Sequence, residues 1–252
     1  MVHDPNLPID ATYVVFRDAR GGPVQRLWRR VRARLDRLIE GRWTDGFFTE
    51  RMAEVPEFVR RVSRIAPTTP VLDVGCAGSF MPAHYIAMGY EVHGLDLRDP
   101  GLDIDGFRFV RGDAARVELA QKYDAITLLS TLEHCGFEHY GGNVASGDAD
   151  VIANLRRFLS PRGRFICSVP CGRPAELGWW RVYDEERLLR VFGVMERARW
   201  FVARSNAWHP CERPVAVACE TTCWPPGALV VFESPALPDQ LGPGEEPDAP
   251  RD

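Results

Sequence analysis

The stretch Val71-Leu72-Asp73-Val74-Gly75-Cys76-Ala77-Gly78-Ser79 decides the fold. It begins with an apolar run that is typical of a buried strand, and small residues follow. From Met81 onward, apolar residues recur at helical spacing. Strand, small-residue turn and helix together predict the first crossover of a doubly wound sheet. The turn must be small if a ligand lies against its backbone, because a Cβ would hold the ligand away.

Strand-like runs continue along the chain on both sides of helical segments. We predict strands at Val71–Val74, Glu91–Leu95, Arg108–Val110, Ala125–Leu129, Arg164–Val169, Arg197–Ala203 and Leu229–Glu233. Helices are predicted at Ala114–Ala120, Asp148–Leu159 and Asp184–Phe192, and a turn at Ser160–Gly163. Strands that alternate with helices indicate a parallel sheet, and a final pair without a helix between them indicates an antiparallel hairpin. The prediction is a Rossmann-like α/β fold with seven strands.

The chain on either side of the predicted sheet has a different character. Residues 1–65 are predicted to form a helical cap, with helices at Val24–Ile39 and from about Phe47 to Ile65. The second helix has an apolar stripe that includes Met52, and Pro56 predicts a kink or break in it. The sheet domain is assigned to residues 66–234. Residues 235–252 are rich in Pro, Gly and acidic residues, which predicts a disordered tail.

Composition limits the classes of partner. The 252 residues carry a formal net charge of −4, which disfavours a nucleic acid backbone as the main partner. No apolar run reaches transmembrane length, so we expect a cytoplasmic protein without a membrane partner. An oligomer is possible. The odd count of seven cysteines indicates thiols. A zinc site formed by His209, Cys211, Cys219 and Cys223 is an alternative that their spacing does not favour.

Four features occur in an order that identifies a family resemblance. They are Asp73-x-Gly75 after the first strand, Asp96 after the second, Gly112-Asp113 after the third, and Lys122-Tyr123-Asp124 before the fourth. This series resembles class I S-adenosylmethionine-dependent methyltransferases. The family usually has three alternating glycines in the first turn, whereas Ala77 and Ser79 stand at two of these positions here. The resemblance covers about residues 66–234 and implies S-adenosyl-L-methionine as the cofactor.

The same resemblance assigns the parts of the cofactor to residues. A carboxylate at Asp96 accepts hydrogen bonds from the ribose hydroxyls, and Leu97 lies against the adenine. Asp73 is expected beneath the turn, near the methionine end, where it would hold the turn amides. Asp113 is expected to accept from the adenine amino group and also fits a helix N-cap. The full set of predicted cofactor contacts is Asp73, Gly75, Ala77, Gly78, Asp96, Leu97, Gly112, Asp113, Ala114 and Ser130.

The stretch after the fourth strand supplies the candidate catalytic groups. Glu133-His134-Cys135-Gly136 resembles the fourth motif of methyltransferases that act on small molecules. Methyl transfer needs a base that removes a proton from the acceptor, and imidazole titrates near neutral pH. His134 is the first candidate, with Glu133 as its orienting group, and His139 and Tyr140 are second candidates. A divalent metal held by these acidic and histidine residues is a less favoured alternative, so no metal is predicted.

Other residues are candidates for contact with the acceptor. Arg51 in the cap and the aromatic residues Trp179, Trp180 and Tyr183 are expected near the same sheet edge, where a ring would stack on them. We therefore predict a small-molecule O- or N-methyltransferase of class EC 2.1.1. A role in natural-product biosynthesis is suggested by the arginine-rich composition, the single small domain and the family resemblance together. Alternatives are a sugar or polysaccharide O-methyltransferase and a non-catalytic partner protein. A NAD-dependent oxidoreductase is disfavoured because the turn lacks Gly-x-Gly-x-x-Gly.

Overall fold

The computed structural model describes residues 49–66, 68–138, 146–204, 207–221 and 226–237. The described residues from Glu50 onward belong to one compact unit. The predicted helix Val24–Ile39 lies outside the described residues, as do His139, Tyr140 and most of the predicted tail. Among the described residues, no helix combines the length and the apolar character needed to cross a membrane.

Five helices and ten strands alternate along the described residues. The helices are α1 (Arg51–Val62), α2 (Met81–Ala87), α3 (Asp148–Arg156), α4 (Glu185–Phe192) and α5 (Arg213–Val217). The strands are β1 (Val71–Val74), β2 (Val92–Asp96), β3 (Phe107–Arg111), β4 (Tyr123–Leu129), β5 (Leu159–Pro170), β6 (Ala175–Glu176), β7 (Arg181–Val182), β8 (Glu196–Arg204), β9 (Ala207–Cys211) and β10 (Ala228–Pro235). Strands β6 and β7 pair with each other outside the main sheet.

The main sheet has the order β3-β2-β1-β4-β5-β10-β8-β9. Strands β1 to β5 are mutually parallel, while β10, β8 and β9 join antiparallel. The order reverses between β1 and β4, so their carboxyl ends form the point at which open α/β sheets bind ligands. The predicted Rossmann-like α/β fold is confirmed.

The two faces of the sheet carry separate hydrophobic clusters, because successive side chains of a strand point in opposite directions. In β4, Ile126 and Leu128 belong to one cluster, whereas Ala125 and Leu129 belong to the other. Side chains of α3 and α4 complete the first cluster, and those of α1 and α2 complete the second. The sheet is therefore covered on both sides, as a parallel sheet requires.

The C-terminal part of the sheet differs from the prediction. The sheet has eight strands instead of seven, because β9 occupies the edge beyond β8. Pro210 in β9 weakened the strand signal in the sequence, but a proline without an N–H is tolerated on an edge strand. A short helix, α5, also lies between β8 and β10, with Pro214 in its first turn, where the missing N–H is harmless. The prediction of a final pair without an intervening helix was wrong, although β8 and β10 do pair antiparallel.

Three local boundaries also differ. The predicted helix Ala114–Ala120 is a single turn, in which Asp113 Oδ1 accepts a hydrogen bond from Ala115 N at 2.9 Å. The predicted turn Ser160–Gly163 lies inside the long strand β5, whose pairing with β4 shifts register there. Helix α3 accordingly ends at Arg156. The hydrogen bond to the Asp113 side chain closes a turn at the predicted helix, and a β-bulge places Ser160–Gly163 within β5. Both features use residues that are typical of turns.

Helix α1 buries charged residues next to the predicted apolar stripe, of which Phe58 and Val62 are fully buried. It is continuous across Pro56, so the predicted break is absent, and Met52 is 53% exposed. The buried face contains Glu57 and Arg61, because strands β8 and β10 offer it partners of opposite charge. Arg61 Nη1 donates to Glu233 Oε1 at 3.0 Å, and Arg61 Nη2 lies 3.2 Å from Glu57 Oε2. Buried charges need such partners, so this pairing fixes α1 on the sheet.

Candidate active site

A cavity opens at the carboxyl edge of the parallel strands, where the turns after β1, β2, β3 and β4 converge. The predicted cofactor residues in its lining are Gly75, Gly78, Asp96, Leu97, Gly112, Asp113, Ala114 and Ser130. Arg51 and His134 also line it. The structure therefore brings residues from five separate segments of the sequence to one place, which is the position that the topology dictates.

The turn after β1 depends on a glycine for two reasons. Gly75 has φ +80°, in the left-handed region that favours glycine. A Cβ at this position would also lie 2.3 Å from Thr131 Oγ1. That threonine is held in place, because its hydroxyl oxygen lies 3.2 Å from Val74 O and 3.0 Å from Leu129 O. The side chain of Thr131 after β4 therefore packs against the backbone after β1 as closely as a glycine allows.

Substitution of Gly75 tests this close approach. We expect Gly75→Ala to lower the free energy of unfolding by about 3 kcal/mol, because backbone strain and a steric clash add. Gly89→Ala is the matched control, since Gly89 has φ +90° but a Cβ there would meet no atom within 4 Å. We expect this control to cost about 1 kcal/mol. Urea denaturation measures both values, and equal losses would show that the contact with Thr131 has no energetic weight.

Asp96 takes the role that the sequence analysis gave to Asp73. Asp96 Oδ2 accepts a hydrogen bond from Ala77 N at 3.0 Å, and Asp96 Oδ1 accepts one from Arg98 N at 2.9 Å. It thus holds an amide of the turn after β1 while its side chain faces the cavity. Each carboxylate oxygen has a second acceptor position, and Arg98 Nε lies 3.5 Å from Oδ1. The second position of Oδ2 suits a ligand hydroxyl. Ala77 does not line the cavity; its amide serves to orient Asp96.

Asp73 is buried beneath the turn, outside the cavity lining. Its Oδ1 accepts a hydrogen bond from Thr127 Oγ1 at 2.7 Å, across the β1–β4 pair. The expected contact with turn amides is absent among the described residues, because the Ala77 amide already pairs with Asp96. Burial raises the pKa of the Asp73 carboxyl to about 7, against the lowering effect of the Thr127 hydroxyl. Asp73 is therefore a buried residue behind the cavity wall and does not line the cavity.

His134 also lines the cavity, from a short 3-10 helix that follows β4. Its ring stacks on Trp179, with ring centroids 5.0 Å apart and an interplanar angle of 3°. Its Nδ1 lies 3.2 Å from Trp179 O. Since a carbonyl oxygen only accepts, Nδ1 must carry the proton, and Nε2 of the neutral ring then carries the lone pair. The ring is thus fixed in the tautomer that a proton acceptor at Nε2 requires.

Glu133 precedes His134 but is fully buried, so it does not line the cavity. Its Oε1 lies 3.9 Å from His134 Nε2, too far for a hydrogen bond but close enough to stabilise a charged imidazolium. Burial raises the pKa of the Glu133 carboxyl well above its ordinary value, and the negative charge of Glu54 adds to this effect. Glu133 is thus near His134, as predicted, but no hydrogen bond from it orients the imidazole, and Trp179 O at 3.2 Å from Nδ1 takes that place.

Helix α1 contributes Glu54 to the surroundings of the cavity. Glu54 is fully buried and accepts a short hydrogen bond from the Ser130 hydroxyl at the end of β4. Ser130 has φ +42°, which is unusual for a residue other than glycine. Arg51 Nη1 lies 2.7 Å from Glu54 Oε2.

The aromatic residues predicted to contact an acceptor fall into two groups. Trp179 packs on His134. Trp180 and Tyr183 are buried outside the cavity lining, and Tyr183 OH donates to Leu132 O at 3.1 Å. Tyr183 thus supports the segment that follows β4, and Trp179 also lies outside the cavity lining. The loop Cys135–Phe137 and Ser146 also line the cavity; of these, Phe137 and Ser146 were not singled out from the sequence.

The possible metal sites receive no structural support among the described residues. No group of three or more His, Cys, Asp or Glu side chains there is arranged to hold a metal ion. Cys211 and Cys219 are free thiols. Cys223, His139 and Tyr140 lie outside the described residues, so the corresponding predictions stay predictions.

Comparison with known proteins places this geometry in a family. No curated protein matches the sequence. Among solved structures, the N-methyltransferase NodS from Bradyrhizobium japonicum is 13% identical with a TM-score of 0.50. The superposed region covers 75% of this chain and 88% of the NodS chain. A putative methyltransferase from Bacillus halodurans is 10% identical with a TM-score of 0.50, and covers 71% and 97%. These two share the fold. Residues 41–205, more than half of the chain, match a family described as a methyltransferase domain, and the chain belongs to that family.

Proposed function

We propose that the protein transfers a methyl group from S-adenosyl-L-methionine to a nitrogen or oxygen atom of a small molecule. The observation that carries this proposal is the shared cavity of Asp96 and His134 at the carboxyl edge of the sheet. One residue is suited to bind a ribose and the other to accept a proton. The methyl donor supplies a reactive carbon and a leaving group, so the protein needs only to align the acceptor and remove its proton.

The cofactor end of the cavity has the donors and acceptors that a nucleoside needs. Asp96 offers acceptor positions for ribose hydroxyls, and Gly112 N donates to Asp96 O at 3.1 Å, which joins the turns after β2 and β3. Asp113 and Leu97 lie beside them and suit the adenine. The altered glycine positions do not argue against binding. Ala77 supplies an amide to Asp96, and Ser79 Oγ accepts from Met81 N at 2.9 Å at the start of α2.

The acceptor end is built around His134. Its Nε2 takes the proton of the acceptor group as the lone pair of that group attacks the methyl carbon. S-adenosylmethionine would supply the methyl carbon and a sulfur that keeps the electron pair of the broken carbon–sulfur bond. Glu133 stabilises the imidazolium that forms, because its carboxylate lies 3.9 Å from Nε2. Arg51 is suited to the carboxylate of the methionine part of the cofactor or to an anionic acceptor.

The methyl acceptor in this proposal is either a nitrogen or an oxygen atom. NodS, which shares the fold, is described as an N-methyltransferase and was solved with S-adenosylhomocysteine. The arginine-rich composition is consistent with a role in natural-product biosynthesis. A sugar or polysaccharide O-methyltransferase is the alternative, because His134 would serve a hydroxyl equally well.

A screen for methyl transfer tests the proposed function. The protein would be incubated with methyl-labelled S-adenosylmethionine and a panel of matched amines, phenols and sugars, and products would be detected by mass spectrometry. We expect a labelled product from at least one class, and the class that reacts decides between nitrogen and oxygen. Binding of S-adenosylmethionine without transfer to any acceptor would favour the non-catalytic partner protein. Absence of cofactor binding would contradict the proposal as a whole.

A further inference from the structure

A small hairpin outside the main sheet reaches the candidate base. Strands β6 and β7 pair antiparallel, and Leu177 N donates to Trp180 O at 2.8 Å across the turn that joins them. Trp179 lies in this turn, where its carbonyl oxygen holds Nδ1 of His134 and its ring stacks on the imidazole. The position of the hairpin therefore determines whether a carbonyl oxygen is present at Nδ1.

A buried ion cluster fixes this hairpin to helices α3 and α4. Arg181 in β7 is 5% exposed, and its Nη1 lies 3.4 Å from Oδ2 of Asp148, the first residue of α3. Arg187 of α4 donates from Nε to the same Oδ2 at 2.9 Å and from Nη2 to Oδ1 at 3.2 Å. Burial on its own would raise the pKa of the Asp148 carboxyl, but the hydrogen bond from Arg187 and the charge of Arg181 outweigh burial and lower it. Asp148 is therefore a carboxylate that attracts Arg181 through a medium of low dielectric constant.

The guanidinium of Arg181 also supports the cavity wall. It lies 4.8 Å from the centroid of the Phe137 ring, within the range of a cation–π interaction, and Phe137 lines the cavity. Just after β7, Tyr183 OH donates to Leu132 O at 3.1 Å, in the 3-10 helix that carries His134. Strand β7 and Tyr183 thus contact the segment that follows β4 on both sides of His134.

The burial of Arg181 is costly, because its Nε and Nη1 have no hydrogen-bond partner among the described residues. An apolar side chain of similar volume would fill this space without that cost. It would supply neither the charge interaction with Asp148 nor the contact with the face of Phe137. These two interactions are what the guanidinium adds, and both connect β7 to the surroundings of the cavity.

We propose that Arg181 and Asp148 are positioning residues that set the tautomer of His134 through the hairpin. This inference rests on the proposed function, in which Nε2 of His134 accepts the proton of the acceptor. The ion pair holds β7 against α3, and β7 holds the turn at Trp179. The Trp179 carbonyl oxygen in turn keeps the proton of the neutral ring on Nδ1. Without the ion pair the turn loses its place, and the proton moves to Nε2, where it blocks the base.

Nuclear magnetic resonance of the imidazole nitrogens tests this role in the absence of cofactor and acceptor. A long-range proton–nitrogen correlation spectrum, recorded at a pH at which the ring is uncharged, distinguishes the two neutral tautomers. The signals of His134 are identified by their absence in His134→Gln. In the wild-type protein we expect the proton mainly on Nδ1. Arg181→Met removes the charge but fills a similar space, and we expect it to raise the ratio of the Nε2–H form to the Nδ1–H form about fivefold, the effect of one lost hydrogen bond.

The matched control is a buried arginine at the other end of the same helix. Arg156 is the last residue of α3, whereas Asp148 is the first. Arg156 is buried and donates to Phe192 O at 2.8 Å. Arg156→Met therefore removes a buried guanidinium of comparable structural weight, and we expect it to leave the tautomer ratio of His134 unchanged.

Different failures have different meanings. A tautomer ratio that Arg181→Met does not change, or that Arg156→Met changes equally, would overturn the positioning role and leave the proposed function intact. A protein that does not bind S-adenosylmethionine in a separate titration would contradict the proposed function itself. If Arg181→Met does not fold by circular dichroism, Asp148→Asn provides the second variant. It removes the other charge of the ion pair, and the same increase in the ratio is expected.

Discussion

Replacement of His134 with glutamine should lower kcat for methyl transfer by about 100- to 10,000-fold, with the Kd of the cofactor changed by less than about threefold. Nδ1 is held by Trp179 O at 3.2 Å, so the lone pair of the neutral ring lies on Nε2, and glutamine offers no comparable base there. The measurement combines initial rates on the acceptor found by screening with calorimetric titration of the cofactor. A loss of rate without a loss of binding separates proton removal from cofactor binding.

Two control variants sharpen this test. His209→Gln changes an exposed histidine of β9, and we expect no effect on the rate. Trp179→Leu removes the ring that stacks on His134 but keeps the backbone carbonyl that holds Nδ1. We expect it to lower kcat less than His134→Gln does, since the tautomer is retained. If His134→Gln stays within threefold of the wild type and His139→Gln does not, the base is His139 and our assignment is wrong.

Replacement of Asp96 with alanine should weaken cofactor binding by about 100-fold or more. The carboxylate is suited to accept two hydrogen bonds from the ribose, and each hydrogen bond to a charged group contributes about 1.5–3 kcal/mol. The substitution also releases Ala77 N and Arg98 N, which the two oxygens hold at 3.0 and 2.9 Å, so the turn after β1 loses its support. Titration with S-adenosylhomocysteine measures the loss.

The matched control for Asp96 lies three residues further along. Asp99→Ala removes a carboxylate that accepts from Gly101 N at 2.8 Å in an exposed loop, outside the cavity lining. We expect unchanged cofactor binding for this variant. Thermal unfolding of both variants shows whether the fold is kept. Binding by Asp96→Ala within about threefold of the wild type would mean that the ribose is held elsewhere, and the assignment of this cavity end would fail.

The central parallel strands and the cavity floor were accessible from the sequence because local patterns determine them. Strand β1 spans the predicted residues, and Gly75, Asp96 and Gly112 follow successive strands that the topology places side by side. A parallel sheet leaves little freedom in this arrangement, since the carboxyl ends of its strands share an edge. Residues at strand ends can therefore be assigned to one site without knowledge of any side-chain contact.

Contacts between residues that are far apart in the sequence could not be predicted in this way. The buried face of α1 was predicted to be apolar, but Glu57 and Arg61 are buried because β8 and β10 supply opposite charges. Those partners are separated from α1 by more than 130 residues. Asp73 was expected at the turn amides, yet Asp96 competes for the Ala77 amide and has it. In both cases the contact depends on which of several partners lies nearest in the folded protein. The spacing of residues in the sequence does not determine this.

The buried pairing of Arg61 with Glu233 has a consequence for the order in which the protein is made. The two residues are 172 positions apart, so β10 is synthesised long after α1. Until β10 pairs with β5, Arg61 has no buried carboxylate there to receive it, and contacts of such separation form late. We expect α1 to stay undocked on the nascent chain, and Arg51 and Glu54 with it. The cavity would then be completed only after β10 has left the ribosome, so a chain that stops before β10 has no complete site for the methyl donor.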